Sequence, residues 1–138
     1  MRRFPTLLFL PAALAVAGCS ESGVSDLSGP VDSGPPAGTD VTIVARAATK
    51  GTRAFSPNPF TVSLAAGGSV SWYNSDVGEG GYGGTPGSAH TVTADDDSFN
   101  SGTIAPGRSF THTFTTPGTY PYHCSIHPSM KGTIKVKP

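Results

Sequence analysis

Charged side chains are scarce in this chain. They make up 13% of 138 residues, with nine Lys and Arg against nine Asp and Glu and a formal net charge of zero. That balance excludes a basic nucleic-acid surface or a polyanionic tail as the organising feature, so no nucleic-acid partner is expected. Apolar residues reach only 36%, thin for a helical bundle, and 18 Gly with 13 Pro interrupt any long helix. No apolar run approaches the roughly 20 unbroken residues of a membrane-spanning helix. Cysteine is limited to Cys19 and Cys124, so at most one bridge could form, and the surroundings of the two point to separate roles. What these shortages leave is one small all-β domain with tails.

The first segment is an address. Arg2 and Arg3 precede a short apolar run from Phe4 to Val16, broken by Pro5 and Pro11, with small residues directly before Cys19. This is the pattern of a bacterial secretory signal over residues 1–18. Val16-Ala17-Gly18-Cys19 resembles the lipobox of bacterial lipoproteins, which implies cleavage before Cys19 and lipidation of that residue. Ordinary signal cleavage with a free Cys19 is the plainer alternative. Residues 19–40 carry Glu21, Asp26, Asp32 and Asp40 but no Lys or Arg, and hold too few large apolar groups to order themselves. They read as a disordered Gly/Ser/Pro linker tethering a folded domain over residues 41–138. The expected location is extracytoplasmic, on the periplasmic or cell-surface side of a bacterial membrane, held there by the lipid on Cys19.

From Asp40 onward apolar and polar residues alternate over short stretches divided by Gly, Pro and Asn, the pattern of half-buried strands. Strands are predicted at Val41–Ala48, Phe60–Leu64, Ser69–Asn74, His90–Ala94, Arg108–Phe114, Gly118–Cys124 and Gly132–Lys137. Seven short strands with frequent turns predict a sandwich, burying Val70, Trp72, Phe110, Phe114, Ile134 and Val136 between two sheets. Ala66-Gly67-Gly68, Pro106-Gly107 and Pro117-Gly118 supply the reversals. Ser75 to Ala89, rich in glycine, is too long for a tight hairpin and reads as a surface loop. Its glycines suggest a phosphate cradle, but no helix and no Lys-Ser/Thr follow, so the motif fails its context.

The chemistry concentrates in Cys124-Ser125-Ile126-His127-Pro128-Ser129-Met130, which sets a thiolate, an imidazole and a thioether three residues apart just after a predicted strand. One turn can converge all three, and His90 offers a second imidazole at the same end of the sandwich. Each residue alone has a bland reading: a strand cysteine is usually a small buried hydrophobe, and a methionine beside the last strand is usually core filler. Together they form two nitrogens, one thiolate and one weak thioether, the set that suits copper in a trigonal His₂Cys site with a long axial Met. Zinc prefers a closed tetrahedral set without thioether, which leaves only adventitious zinc open. Cys124 and His127 could instead act as nucleophile and base, yet no orienting group or oxyanion site is visible, so no enzyme is expected.

At these residues the chain resembles the cupredoxins, or blue copper proteins. Tyr122 through Gly132 looks like the amicyanin and plastocyanin branch, and the short Cys-x₂-His-x₂-Met spacing favours amicyanin. Pro57-Asn58-Pro59-Phe60 stands where related proteins often carry a similar phrase. The resemblance implies a Greek-key β-sandwich of about seven to eight strands, one type 1 copper held by His90, Cys124, His127 and Met130, and one-electron transfer between larger redox proteins by a monomer. Two features depart from the family pattern: a longer glycine-rich stretch before His90 and the tethered linker. A copper-holding or copper-delivering lipoprotein is the rival reading, and a metal-free adhesive sandwich a third.

The remaining polar candidates read as structural. His123 neighbours Cys124 on an extended strand and must face the other way. His112 sits between Phe110 and Phe114 on one strand face and reads as a core histidine. Asp95-Asp96-Asp97 could hold a hard cation, but three carboxylates on a turn usually face water. Thr91 beside His90, with backbone amides aimed at the Cys124 sulfur, is expected to support the site, and His127 is expected to be its most exposed ligand.

Overall fold

The structure is a computed structural model that describes residues 34–78 and 86–138. The signal segment, Cys19, the linker up to residue 33 and the middle of the glycine-rich loop lie outside the described residues. Among the described residues there are eight strands: β1 (Val41–Ile43), β2 (Phe55–Ser56), β3 (Phe60–Ser63), β4 (Ser69–Asn74), β5 (Thr93–Ala94), β6 (Ser109–Thr113), β7 (Gly118–His123) and β8 (Lys131–Lys137). They form two four-stranded sheets, ordered β2-β1-β4-β6 and β3-β8-β7-β5. β1 with β4 and β3 with β8 run parallel, and the other neighbours are antiparallel.

Alternation along the strands decides which face is buried. In β4, Val70, Trp72 and Asn74 point inward and are fully buried, and in β8 Ile134 and Val136 point inward and are buried, in step with Gly132. Val41 and Ile43 from β1 and Tyr122 and Cys124 at the end of β7 complete the interior. Trp72 is central. Its ring lies 5.7 Å from Tyr122, 5.8 Å from Phe110 and 6.2 Å from Phe99, and its indole N–H donates to the Tyr122 hydroxyl at 3.2 Å. That bond gives each buried polar tip a partner, and burial pushes the Tyr122 phenol well above its ordinary value.

Two predicted strands are corrected. The segment Val41–Ala48 is extended only to Ile43. Arg46 then adopts a left-handed backbone at φ 56°, and single 3-10 turns follow at Ala47–Thr49 and Gly51–Arg53. The turn forms because the Asp76 carboxylate takes the Arg46 and Ala47 amide protons at 2.9 and 3.3 Å, which removes them from any sheet ladder. The segment His90–Ala94 is a strand only at Thr93–Ala94; His90 makes an isolated bridge to Ile104 instead. β2 is too short to show as a periodic pattern. His112 lies at the margin of the core, stacked 4.7 Å from Phe99 and edge-on to Phe114 at 4.8 Å. Burial without a compensating charge lowers its basicity.

Among the turn glycines, Gly67 and Gly107 use positive φ as expected, at 95° and 73°. Gly132 matters for another reason. It is paired with Tyr122 across β7 and β8, and a Cβ there would collide with the buried Tyr122 ring and its hydroxyl. Tyr122 cannot move without breaking its bond to Trp72. Gly132→Ala is therefore expected to destabilise the domain by about 1–3 kcal/mol in urea unfolding, and a stability equal to the wild type would show that this approach is not tight.

Candidate metal centre

Strand pairing builds the site before any side chain is considered. β7 and β8 remain in register up to the pair His123↔Lys131, and the next residues close on each other because the Cys124 amide donates to the Met130 carbonyl at 3.1 Å. The seven residues between are thus a loop with its ends tied. A second bond inside it, from the Met130 amide to the His127 carbonyl at 2.9 Å, folds His127 back toward Cys124. Asn58 anchors the return, donating to the Lys131 carbonyl at 3.0 Å and accepting from the Thr133 amide at 3.0 Å.

Alternation at the end of β7 sends His123 and Cys124 to opposite sides. His123 Nδ1 lies 2.6 Å from Asp95 Oδ1 at the surface, while Cys124 is fully buried. Asp96 accepts the Ser98 amide, and Asp97 occupies a left-handed turn position. The aspartate triplet therefore serves a turn and a side-chain hydrogen bond. The one group of metal-ligating side chains among the described residues is His90, Cys124 and His127, with donor atoms all within 4.8 Å.

The three donors form a compact triangle. Cys124 Sγ is 3.9 Å from His90 Nδ1 and 3.8 Å from His127 Nδ1, and the two nitrogens are 3.2 Å apart. The centre of that triangle lies about 2.1 Å from each corner, within the range of metal bonds to imidazole (about 2.0–2.1 Å) and near that of bonds to thiolate (about 2.3 Å). The residues fit a single soft metal ion. Met130 is fully buried at the end of the same loop, tied to both Cys124 and His127 through its backbone.

Hydrogen bonds aim the donors. The Thr91 amide donates to Cys124 Sγ at 3.3 Å, as expected for support beside His90. Thr91 Oγ1 accepts the Ser125 amide at 2.7 Å, and the Ser125 hydroxyl donates to Thr93 at 2.9 Å. Burial pushes the Cys124 thiol up, but the His90 bond, the Thr91 and His127 amides and the His127 ring outweigh it and bring the group down to about 6. His90 moves the other way: burial disfavours its charged form, yet Cys124 and Asp76 together raise it above its ordinary value. In the metal-free site both shifts favour the charged forms, thiolate at Cys124 and a protonated ring at His90.

Asp76 was not singled out in the sequence. It stands in the glycine-rich loop 14 residues before His90, and nothing in its local pattern marks it. In the structure its Oδ2 lies 2.9 Å from His90 Nε2, with both side chains buried. Burial raises its carboxyl, and the His90 bond with the Arg46 and Ala47 amides more than reverses this, holding it below the usual range. Asn74 is a second such residue. Its amide donates to the Ser88 and Ile104 carbonyls, and its oxygen accepts the Asp76 amide, which locks the loop against the His90 segment.

In metal-free protein the ultraviolet absorbance of the thiolate is expected to rise as pH passes about 6, measured as the difference between wild type and Cys124→Ser. A difference that appears only at the pH of an ordinary thiol would contradict this arrangement.

Residues 42–137 match the model of a family described as copper binding proteins, plastocyanin/azurin family. A plastocyanin from Scenedesmus fuscus is 34% identical over 92 residues, which are 57% of this chain and 84% of that protein. Among solved structures, a purple cupredoxin from Nitrosopumilus maritimus superposes with a TM-score of 0.59 at 24% identity, over 72% of this chain and 99% of that one. An amicyanin variant in its Cu(I) form gives 0.54 at 21% identity, over 76% of this chain and 87% of that one. The two structures share the fold.

Proposed function

The chain belongs to the plastocyanin/azurin family of copper-binding proteins, and from that membership we propose that it carries single electrons between redox proteins outside the cytoplasm, bound to a membrane by lipid on Cys19. The observation that carries the reading is the convergence of His90 Nδ1, His127 Nδ1 and Cys124 Sγ on one buried point. His90, Cys124 and His127 would hold the copper, with Met130 as the weak fourth ligand. Copper held by these residues would supply a one-electron couple between a reduced donor protein and an oxidised acceptor.

The protein's own part is to hold the ligands still. Cys124 and His127 are fixed by the tied loop, and His90 by its backbone bridge to Ile104 and its bond to Asp76. Ligands that cannot rearrange keep one geometry for both oxidation states, which favours rapid exchange. His90, Cys124 and Met130 are fully buried, whereas His127 is partly exposed, next to the exposed Ile126. The His127 ring edge is thus the shortest path between the interior of the site and a docked partner. The domain acts as a monomer.

The test is the visible and electron paramagnetic resonance spectrum of the protein after addition of Cu(II). An intense thiolate-to-copper absorption at one copper per chain, reversibly bleached on reduction with the metal retained, is expected for wild type and lost in Cys124→Ser. A wild type that stays colourless defeats the electron-carrier reading. Ready release of copper to a metal-free acceptor, without reversible cycling, identifies a delivery protein instead.

A further inference from the structure

His90 is fully buried, and each of its ring nitrogens faces a different kind of group. Nδ1 faces the Cys124 sulfur and the His127 ring, and Nε2 faces Asp76 Oδ2. The Asp76 carboxylate also receives two backbone N–H groups, from Arg46 on Oδ1 and from Ala47 on Oδ2. A carboxylate with donors on both oxygens is stabilised in its ionised form, and an ionised carboxylate can only accept. The proton between Asp76 and His90 therefore belongs to Nε2. In the neutral ring, the form that binds a metal, the lone pair is then left on Nδ1, directed at the point where the other two donors converge.

We propose that Asp76 is a positioning residue of this site, which selects the metal-binding tautomer of His90 and biases the bound copper toward its higher oxidation state. This rests on the functional reading above and extends it. A negative charge hydrogen-bonded to a ligand imidazole makes the ring a stronger donor. It also favours Cu(II) over Cu(I), because the two differ by one positive charge. Asp76 is held for this role from every side. Its amide is fixed by Asn74 and its carbonyl accepts the Ser88 amide at 3.0 Å. Gly87 passes so close that a Cβ there would lie 2.5 Å from the Asp76 carbonyl oxygen. A surface carboxylate would need none of these contacts.

The experiment compares the copper-loaded wild type, Asp76→Asn and Asp76→Glu by redox titration. Ring-¹⁵N magnetic resonance of His90 is measured on the wild type in its diamagnetic Cu(I) form. Removing the charge in Asp76→Asn is expected to shift the Cu(I)-to-Cu(II) affinity ratio about tenfold toward Cu(I), an upward change of about 59 mV for a one-electron couple. The thiolate-to-copper absorption should be retained. Asp76→Glu keeps the charge and should recover most of that shift, which loss of packing alone would not predict. In the wild type the ring proton is expected on Nε2 and protected from exchange with solvent.

An unchanged potential in an Asp76→Asn protein that keeps its spectrum would overturn the proposal, and so would a ring proton on Nδ1. If Asp76→Asn does not fold, the wild-type ring measurement and Asp76→Glu still decide. A wild type that takes up no copper defeats the functional reading itself; the same measurement on the metal-free chain, at a pH where the ring is neutral, then tests the tautomer by itself.

Discussion

A buried imidazole cannot leave a ring nitrogen idle, because an unpartnered polar group removed from water costs on the order of 1–3 kcal/mol. His90 has no exposure at all, so its two nitrogens dictate what surrounds it. One requires an acceptor for its proton and the other requires something for its lone pair. Asp76 meets the first need, and the cleft shared with Cys124 and His127 meets the second. Much of the local architecture follows from placing Asp76 there. The first strand ends early because its amides turn to that carboxylate, and the return limb of the glycine-rich loop is drawn against it by Asn74, Gly87 and Ser88.

The other half of the site is built on a different principle. Cys124 and Met130 meet because β7 and β8 are paired up to the residues beside them, so closing the loop requires only one additional backbone bond. The two halves come from parts of the chain more than 30 residues apart and meet where β5 pairs with β7 in one sheet, which packs against the other. The aromatic cluster around Trp72 sets that packing, since Tyr122 belongs both to this cluster and to the strand that delivers Cys124. Rigidity at the core thereby becomes rigidity at the ligands. A site whose donors lie at metal-binding separation has little rearrangement left to make when charge changes.

The two-sheet fold was legible because alternation in Ser69–Asn74 and in Gly132–Lys137 is a period of two, and burial of one face is its direct consequence. Cys124, His127 and Met130 were legible because they share one short segment, where spacing translates into geometry without knowledge of the rest. His90 could be named as a partner only through the chemistry that a second imidazole would complete. The errors have physical causes as well. Val41–Ala48 has the composition of a strand, but its last residues find a carboxylate instead of a neighbouring strand. His90–Ala94 looks extended, yet most of its backbone pairs singly with the segment around Ile104.

By itself, then, the amino-acid order determined what depends on neighbours in the chain: the strand faces, the reversals at Gly67 and Gly107, and a thiolate, imidazole and thioether on one loop. Tertiary structure alone decided what depends on neighbours in space. Asp76 is an acid in a glycine-rich loop until packing brings it to His90, and Asp95 finds His123 only because pairing of β5 with β7 sets the two side by side. Hydrogen bonds between distant side chains leave no periodicity behind, since their partners are chosen by the packed interior and not by separation along the chain.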